Sequence, residues 1–244
     1  MTLVVIPARM AATRLPGKPL ADIHGRPMIA WMVEIARAAD VGPALVAAGD
    51  QEIAAAARAA GGEAVLTDPA LPSGTDRVHA AAAGFDPAGA HDIVVNLQGD
   101  MPTFPPAYIA RAVELLARSG AEIATLVSPS DAPADRDNPN VVKAIASLQG
   151  DEGRALYFTR APAPSGDGPV WRHVGLYAYR RAALARFVAA PPSPLEEREK
   201  LEQLRALEMG MTIAVGVVPD FPKGVDGPAD LEAARAALSR DGRA

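Results

Sequence analysis

The segment Pro7-Ala8-Arg9-Met10-Ala11-Ala12-Thr13-Arg14-Leu15-Pro16-Gly17-Lys18-Pro19-Leu20 gathers three cations, Arg9, Arg14 and Lys18, into one short connection. It follows Leu3–Pro7, a continuous apolar run that reads as a strand buried on both faces. In open α/β sheets, ligands bind just beyond the carboxyl ends of the strands. Cations held this close repel one another until an anion joins them, so a polyanion is their natural partner. The segment is not a Walker loop: Lys18 is followed by Pro19 rather than Ser or Thr, and position 12 is Ala rather than Gly. Nor is it a GxGxxG dinucleotide loop. A solvated basic loop is the plain alternative, and the position directly after a buried strand favours the phosphate site.

Asp100, in Gln98-Gly99-Asp100-Met101-Pro102, follows a second buried run, Ile93–Leu97. Two readings stand here. An aspartate at a central strand's end can hold Mg²⁺ against substrate phosphates, or it can make the turn before Pro102. Asp226, in Gly224-Val225-Asp226-Gly227-Pro228, has the same two readings, and alone it favours the turn. Asp50 follows the run Ala44–Ala48 and reads as a helix cap. Ser73-Gly74-Thr75-Asp76-Arg77 offers hydroxyls, amides and a guanidinium that could cradle a base or ribose, or simply open a capped helix. His173 stands in an alternating strand, where a lone histidine is more often structural than catalytic. The four histidines form no HxxxH pair, so a histidine-built metal site is not expected. Glu202 and Gln203 lie off the leucine stripe of their helix and read as a solvated face.

The elements that must position these residues alternate. Strand-like Leu3–Pro7, Ala44–Ala48, Glu63–Leu66 and Ile93–Leu97 are separated by helical patterns over Met28–Arg37, Glu52–Ala60 and Thr75–Ala83, with Ser73 as a cap. A helix over Pro106–Ser119 follows. Such alternation predicts a mostly parallel central sheet flanked by helices, an α/β fold. The second half is less regular. Ile123–Val127, Val141–Ile145, His173–Tyr179 and Ile213–Val218 read as strands. Asp131–Asn140 and Ala161–Pro169 read as loops, Pro194–Met209 as one helix, and Asp230–Leu238 as a terminal helix.

Composition bounds the function. The chain has 244 residues, 49% of them hydrophobic and 22% charged, which suits one large domain with a proper core. Its 24 basic and 29 acidic side chains give −5, without the basic excess that a general nucleic-acid binder uses to neutralise phosphates. It contains no cysteine, so disulfides, thiolate catalysis and cysteine-held metals are excluded. The start has neither a basic nor a long apolar region of signal-peptide type. No apolar run approaches the ~20 residues of a membrane span. A cytoplasmic protein is expected.

Taken in order, several segments resemble the 3-deoxy-manno-octulosonate cytidylyltransferase (CMP-Kdo synthetase) family across nearly the whole chain. They are Ile6-Pro7-Ala8-Arg9 with Thr13-Arg14-Leu15-Pro16-Gly17-Lys18-Pro19-Leu20, Ser73-Gly74-Thr75-Asp76-Arg77, and Gln98-Gly99-Asp100. Asn138-Pro139-Asn140-Val141-Val142-Lys143, Ala155-Leu156-Tyr157-Phe158-Thr159-Arg160, and Arg172-His173-Val174-Gly175-Leu176-Tyr177 follow. Ser193-Pro194-Leu195-Glu196, Leu201-Glu202-Gln203-Leu204-Arg205, and Gly224-Val225-Asp226 with Pro228 complete the set. The chain departs from the usual family pattern at Met101, at Gly227, and at Glu197-Arg198.

The resemblance implies one nucleotidyltransferase-type, Rossmann-like domain. Residues 1–126 would form the nucleotide-binding half, 127–210 a smaller mixed subregion for the sugar and for dimerisation, and 211–244 the return to the main sheet. It implies that the anomeric hydroxyl of Kdo attacks the α-phosphorus of CTP, releasing pyrophosphate, with Mg²⁺, in a homodimer that supplies lipopolysaccharide assembly. Arg9 and Lys18 would hold the triphosphate, with Ala8 and Arg14 contributing from the same loop. Ser73 and Arg77 would seat the cytidine, and Gln98 would lie between nucleotide and sugar. Asp100 and Asp226 would hold Mg²⁺. Arg160 would meet the Kdo carboxylate, and His173, Tyr177, Glu202 and Gln203 the sugar hydroxyls. A related sugar acid such as 8-amino-Kdo, or a non-catalytic nucleotide-binding role, is the alternative.

Overall fold

A computed structural model describes residues 1–11 and 15–240. It has the expected α/β architecture and divides into two compact units, Met1–Ala110 with Pro222–Ala244, and Arg111–Phe221.

The first unit carries four strands, β1 (Thr2–Ala8), β4 (Ala44–Ala48), β5 (Glu63–Leu66) and β6 (Ile93–Leu97), besides a two-strand ribbon of β2 (Asp22–Ile23) and β3 (Arg26–Pro27). The four run parallel in the order β5-β4-β1-β6. Leu3, Val4, Val5 and Ile6 are fully buried, as an apolar strand between two neighbours and two helical layers requires. Helices α1 (Met28–Ala38), α2 (Gln51–Ala59) and α3 (Gly74–Phe85) make the crossovers. The last helix, α9 (Pro228–Arg240), returns to this unit, where Leu231, Ala234 and Leu238 pack with Ile23, Met28, Trp31 and Val225. Ser73 caps α3, accepting from the backbone N–H groups of Thr75 and Asp76.

Helix α4 (Pro106–Ser119) leads into the second unit. There β7 (Ile123–Ser130), β8 (Lys143–Gln149), β9 (Glu152–Thr159), β10 (Val170–Arg180) and β11 (Ile213–Val217) follow the order β10-β7-β11-β9-β8, and β8 also pairs with β10. Every pairing within this order is antiparallel except β11 with β7, and two residue pairs, Trp171 with Ala144 and Arg172 with Lys143, join β10 to β8 at the ends of that order.

Several expectations need correction in this unit. Strand β9 and helix α6 (Arg181–Ala189) were not expected from the sequence. The loop over Asp131–Asn140 contains a short helix, α5 (Pro133–Asp137), which opens on a proline at its first turn. Strand β8 starts at Lys143 rather than Val141. The single helix over Pro194–Met209 is two, α7 (Pro194–Glu199) and α8 (Gln203–Glu208). Lys200 separates them at φ 56°, a left-handed conformation that ends a helix.

Candidate active site

Within the first unit, a cleft of about 290 Å³ opens at the carboxyl ends of β1 and β6. Ala8, Arg9, Lys18, Ser73, Arg77, Gln98 and Asp100 line it, so the structure brings together the predicted nucleotide residues it describes. Arg14 lies outside the described residues. Two glycines allow the close approach. Gly17 adopts φ 70° just before Lys18, and a methyl group at Gly99 would meet the Pro7 carbonyl at 2.8 Å. Asp50 occupies the residue before α2, but its carboxylate makes no cap bond there. It accepts instead from the Met10 backbone N–H at 2.8 Å, anchoring the start of the basic loop.

Lys18 is the centre of the charge arrangement. Its Nζ donates to Asp100 Oδ2 at 2.7 Å and to the Val225 carbonyl at 2.9 Å, and lies 3.9 Å from Asp226 Oδ1. The Val225 N–H donates to the Asp100 carbonyl at 2.8 Å, which ties the two aspartate-bearing segments together. Asp226 heads α9, where its backbone N–H and that of Gly227 are accepted by Asp230. Asp100 follows the end of β6 and Asp226 stands just before α9, and their side chains converge on one ammonium group.

That ammonium stands where a cation would. Two carboxylates and a carbonyl suit Mg²⁺, which keeps several sites for water and substrate phosphate. No cluster of three or more His, Cys, Asp or Glu side chains able to hold a metal occurs among the described residues.

Arg77 is buried, with Nη1 donating to Thr67 Oγ1 and Nη2 to the Pro69 carbonyl. Burial and then the nearby Arg9 charge push its guanidinium below its usual range, while Asp50 and Asp68 oppose the shift. Two guanidinium groups in one cleft favour an anionic ligand. The Ser73 hydroxyl is committed to the α3 cap and donates to Asp76 Oδ2 at 2.6 Å. Gln98 Nε2 donates to Asn96 Oδ1 at 3.2 Å. Met101 is buried and packs near Gly224, so this position is apolar core.

The predicted sugar residues belong to the second unit. The break between α7 and α8 explains Arg160. Its Nε donates to the Glu199 carbonyl at 2.8 Å, Nη1 to the Pro139 carbonyl at 2.9 Å, and Nη2 to the Lys200 carbonyl at 3.4 Å. Carbonyls released where α7 ends, together with the Pro139 carbonyl, hold the planar fork in place. Lys143 supports the same place. Fully buried, it donates to the carbonyls of Asn138 and Arg160 at 3.0 and 2.7 Å, and burial lowers its pKa. Sequence reasoning gave Lys143 no role. The available signal was a single lysine inside an otherwise apolar strand.

His173 packs edge-on against Phe158 at 5.0 Å and near Tyr177 at 5.2 Å between ring centroids. Burial lowers the His173 pKa to about 4 and raises the Tyr177 hydroxyl well above its usual range, Tyr179 and Glu202 adding to the latter. Gln203 is buried, which corrects the solvated-face reading for this residue, and its Nε2 has no hydrogen-bond partner among the described residues. A buried amide donor without a partner is costly unless a ligand completes it.

Residues 3–213 match the profile of the family described as cytidylyltransferase. A 3-deoxy-manno-octulosonate cytidylyltransferase of Parvibaculum lavamentivorans is 63% identical, over 98% of this chain and 93% of its own length. One of Rhodospirillum centenum is 62% identical over 97% and 93%. This chain belongs to the 3-deoxy-manno-octulosonate cytidylyltransferase family. Among solved structures, a CMP:2-keto-3-deoxy-manno-octonic acid synthetase complexed with CTP is similar with a TM-score of 0.90 and 36% identity, covering 98% of this chain and 99% of that one. A glucose-1-phosphate thymidylyltransferase of Bacillus anthracis, at TM-score 0.68 and 17% identity over 99% and 96%, shares the fold alone. No described helix is long and apolar enough to cross a membrane.

Proposed function

We propose that this chain transfers CMP from CTP to the anomeric hydroxyl of 3-deoxy-D-manno-octulosonate, releasing pyrophosphate and forming CMP-Kdo for lipopolysaccharide assembly. The observation that carries the reading is the Lys18 ammonium between Asp100 and Asp226 at the foot of a cleft that also holds Arg9 and Arg77. Full-length relatives named for this reaction support the choice of nucleotide and sugar.

In this reading Arg9 and Lys18 bind the triphosphate, and Lys18 leaves the carboxylate pair to do so. Arg77 and the turn at Ser73 seat the nucleoside, with Gln98 beside it. Asp100 and Asp226 would hold Mg²⁺, which when bound neutralises phosphate charge and stabilises the leaving pyrophosphate. Arg160 takes the sugar carboxylate, and His173, Tyr177, Glu202 and Gln203 take hydroxyl groups. Phosphoryl-type transfer depends on positioning and charge neutralisation more than on covalent help, so no dedicated side-chain base is assigned. A homodimer and a cytoplasmic setting go with the same reading on family resemblance.

The test is pyrophosphate release with CTP, Mg²⁺ and Kdo, repeated with the other nucleoside triphosphates and with the 8-amino sugar. Turnover confined to CTP and Kdo is expected. CTP binding without pyrophosphate release in the presence of any sugar acid would replace the catalytic reading with a binding one. Lys18→Ala should weaken CTP at least about tenfold, since charge-assisted hydrogen bonds are lost. Calorimetry with CTP measures this directly, and an unchanged Kd removes Lys18 from the phosphate site.

A further inference from the structure

The pairing of β10 with β7 is interrupted at one point. His173 faces Val127 and Val174 faces Leu126, but the next matched pair is Tyr177 with Thr125. Gly175 and Leu176 therefore have no partners in register on β7, and a bulge of this kind disrupts the ladder locally. Thr125 is fully buried opposite the gap. Its Oγ1 lies 2.8 Å from the Leu176 carbonyl, 3.2 Å from the Val174 carbonyl and 3.0 Å from His173 Nε2.

A hydroxyl owns one proton. Both carbonyls can only accept, so that proton is spent on them, with Leu176 the shorter contact. The remaining contact at 3.0 Å is a hydrogen bond only if His173 Nε2 donates. A neutral imidazole carries a single N–H, so Nδ1 must then hold a lone pair. No hydrogen bond to Nδ1 occurs among the described residues, and burial keeps His173 uncharged at neutral pH, so the Thr125 contact is what selects between the two neutral tautomers.

We infer that Thr125 is a positioning residue that fixes His173 as the Nε2–H tautomer, so that Nδ1 accepts a hydrogen bond from a sugar hydroxyl. The inference rests on the reading of His173 as a sugar-binding residue. It gives that contact a direction: His173 selects a hydroxyl donor and gives nothing to the sugar carboxylate, which is left to Arg160. Thr125 also bonds the carbonyls of Val174 and Leu176 at the bulge that lies between His173 and Tyr177.

The test is ¹⁵N NMR of histidine-labelled protein at pH 7 without ligand. A pyrrole-type Nε2 and a pyridine-type Nδ1 are expected for His173, and a proton on Nδ1 overturns the inference. Thr125→Val should raise the Kdo KM by about tenfold, one hydrogen bond's worth, with the CTP KM unchanged. Thr125→Ser, which keeps the hydroxyl, should restore both the tautomer and the sugar KM. An unchanged Kdo KM in Thr125→Val, beside a raised one in His173→Ala, overturns the positioning role. If His173→Ala itself leaves the Kdo KM unchanged, the sugar-site reading fails, and with it the assigned hydroxyl contact. Should Thr125→Val not fold, the wild-type spectrum and Thr125→Ser still decide the matter.

Discussion

Asp100→Asn should lower kcat on the order of 10²–10³-fold, the usual scale for losing a preorganised electrostatic group. The substitution keeps shape and removes one negative charge. In the structure that charge takes the Lys18 ammonium at 2.7 Å, and Asp226 is 3.9 Å from the same atom. With nucleotide bound, the proposed roles separate: Lys18 turns to phosphate and the two carboxylates share a divalent cation. An asparagine can still accept a hydrogen bond but cannot balance the cation's charge. CTP affinity should change far less than kcat, because Arg9, Lys18 and Arg77 remain. Purified mutant protein, assayed for pyrophosphate release beside calorimetry with CTP, measures both. Near-normal turnover would take Asp100 out of the reaction. Equal losses in binding and turnover would make it a nucleotide-binding group only.

The first unit was legible because its signals are local. Leu3–Pro7, Ala44–Ala48 and Ile93–Leu97 are apolar without interruption, and a strand buried on both faces leaves no other pattern. The basic loop and Asp100 follow two such strands directly, so fold and site were read together. Asp226 was ambiguous because its partner is distant in sequence: nothing near it says that Lys18 will come within 3.9 Å. The second unit hid its elements for physical reasons. The leucine spacing at Leu201, Leu204 and Leu207 continues a helix on paper, yet Lys200 turns left-handed where Arg160 takes the carbonyls of Glu199 and Lys200. Tertiary hydrogen bonds overrode the local period. Strand β9 was legible in hindsight, since Gly150-Asp151 between two strand-length runs is a two-residue hairpin signal, and Gly150 has φ 67°. The Thr125 contact had no sequence signal, because a bulge is visible only as a register.

Arg160→Lys should raise the Kdo KM by roughly 10–100-fold while CTP affinity stays as it was, the loss of one or two charge-assisted hydrogen bonds. The charge is kept, so the argument is about geometry. Nε and both terminal nitrogens of Arg160 reach carbonyls on three residues, Glu199, Pro139 and Lys200. A lysine ammonium has three donors on one flexible stem and cannot span those acceptors in a plane. It would leave carbonyls unpaired at the break between α7 and α8, or abandon the sugar carboxylate to satisfy them. Lys143 sharpens the expectation, because it already holds the Arg160 backbone carbonyl at 2.7 Å and so fixes where the new side chain starts. Relaxation of the backbone is therefore a poor route to rescue. Steady-state kinetics with Kdo varied at saturating CTP tests this. An unchanged sugar KM would mean that bare charge suffices, and that the rigid fork serves the helix break rather than the substrate.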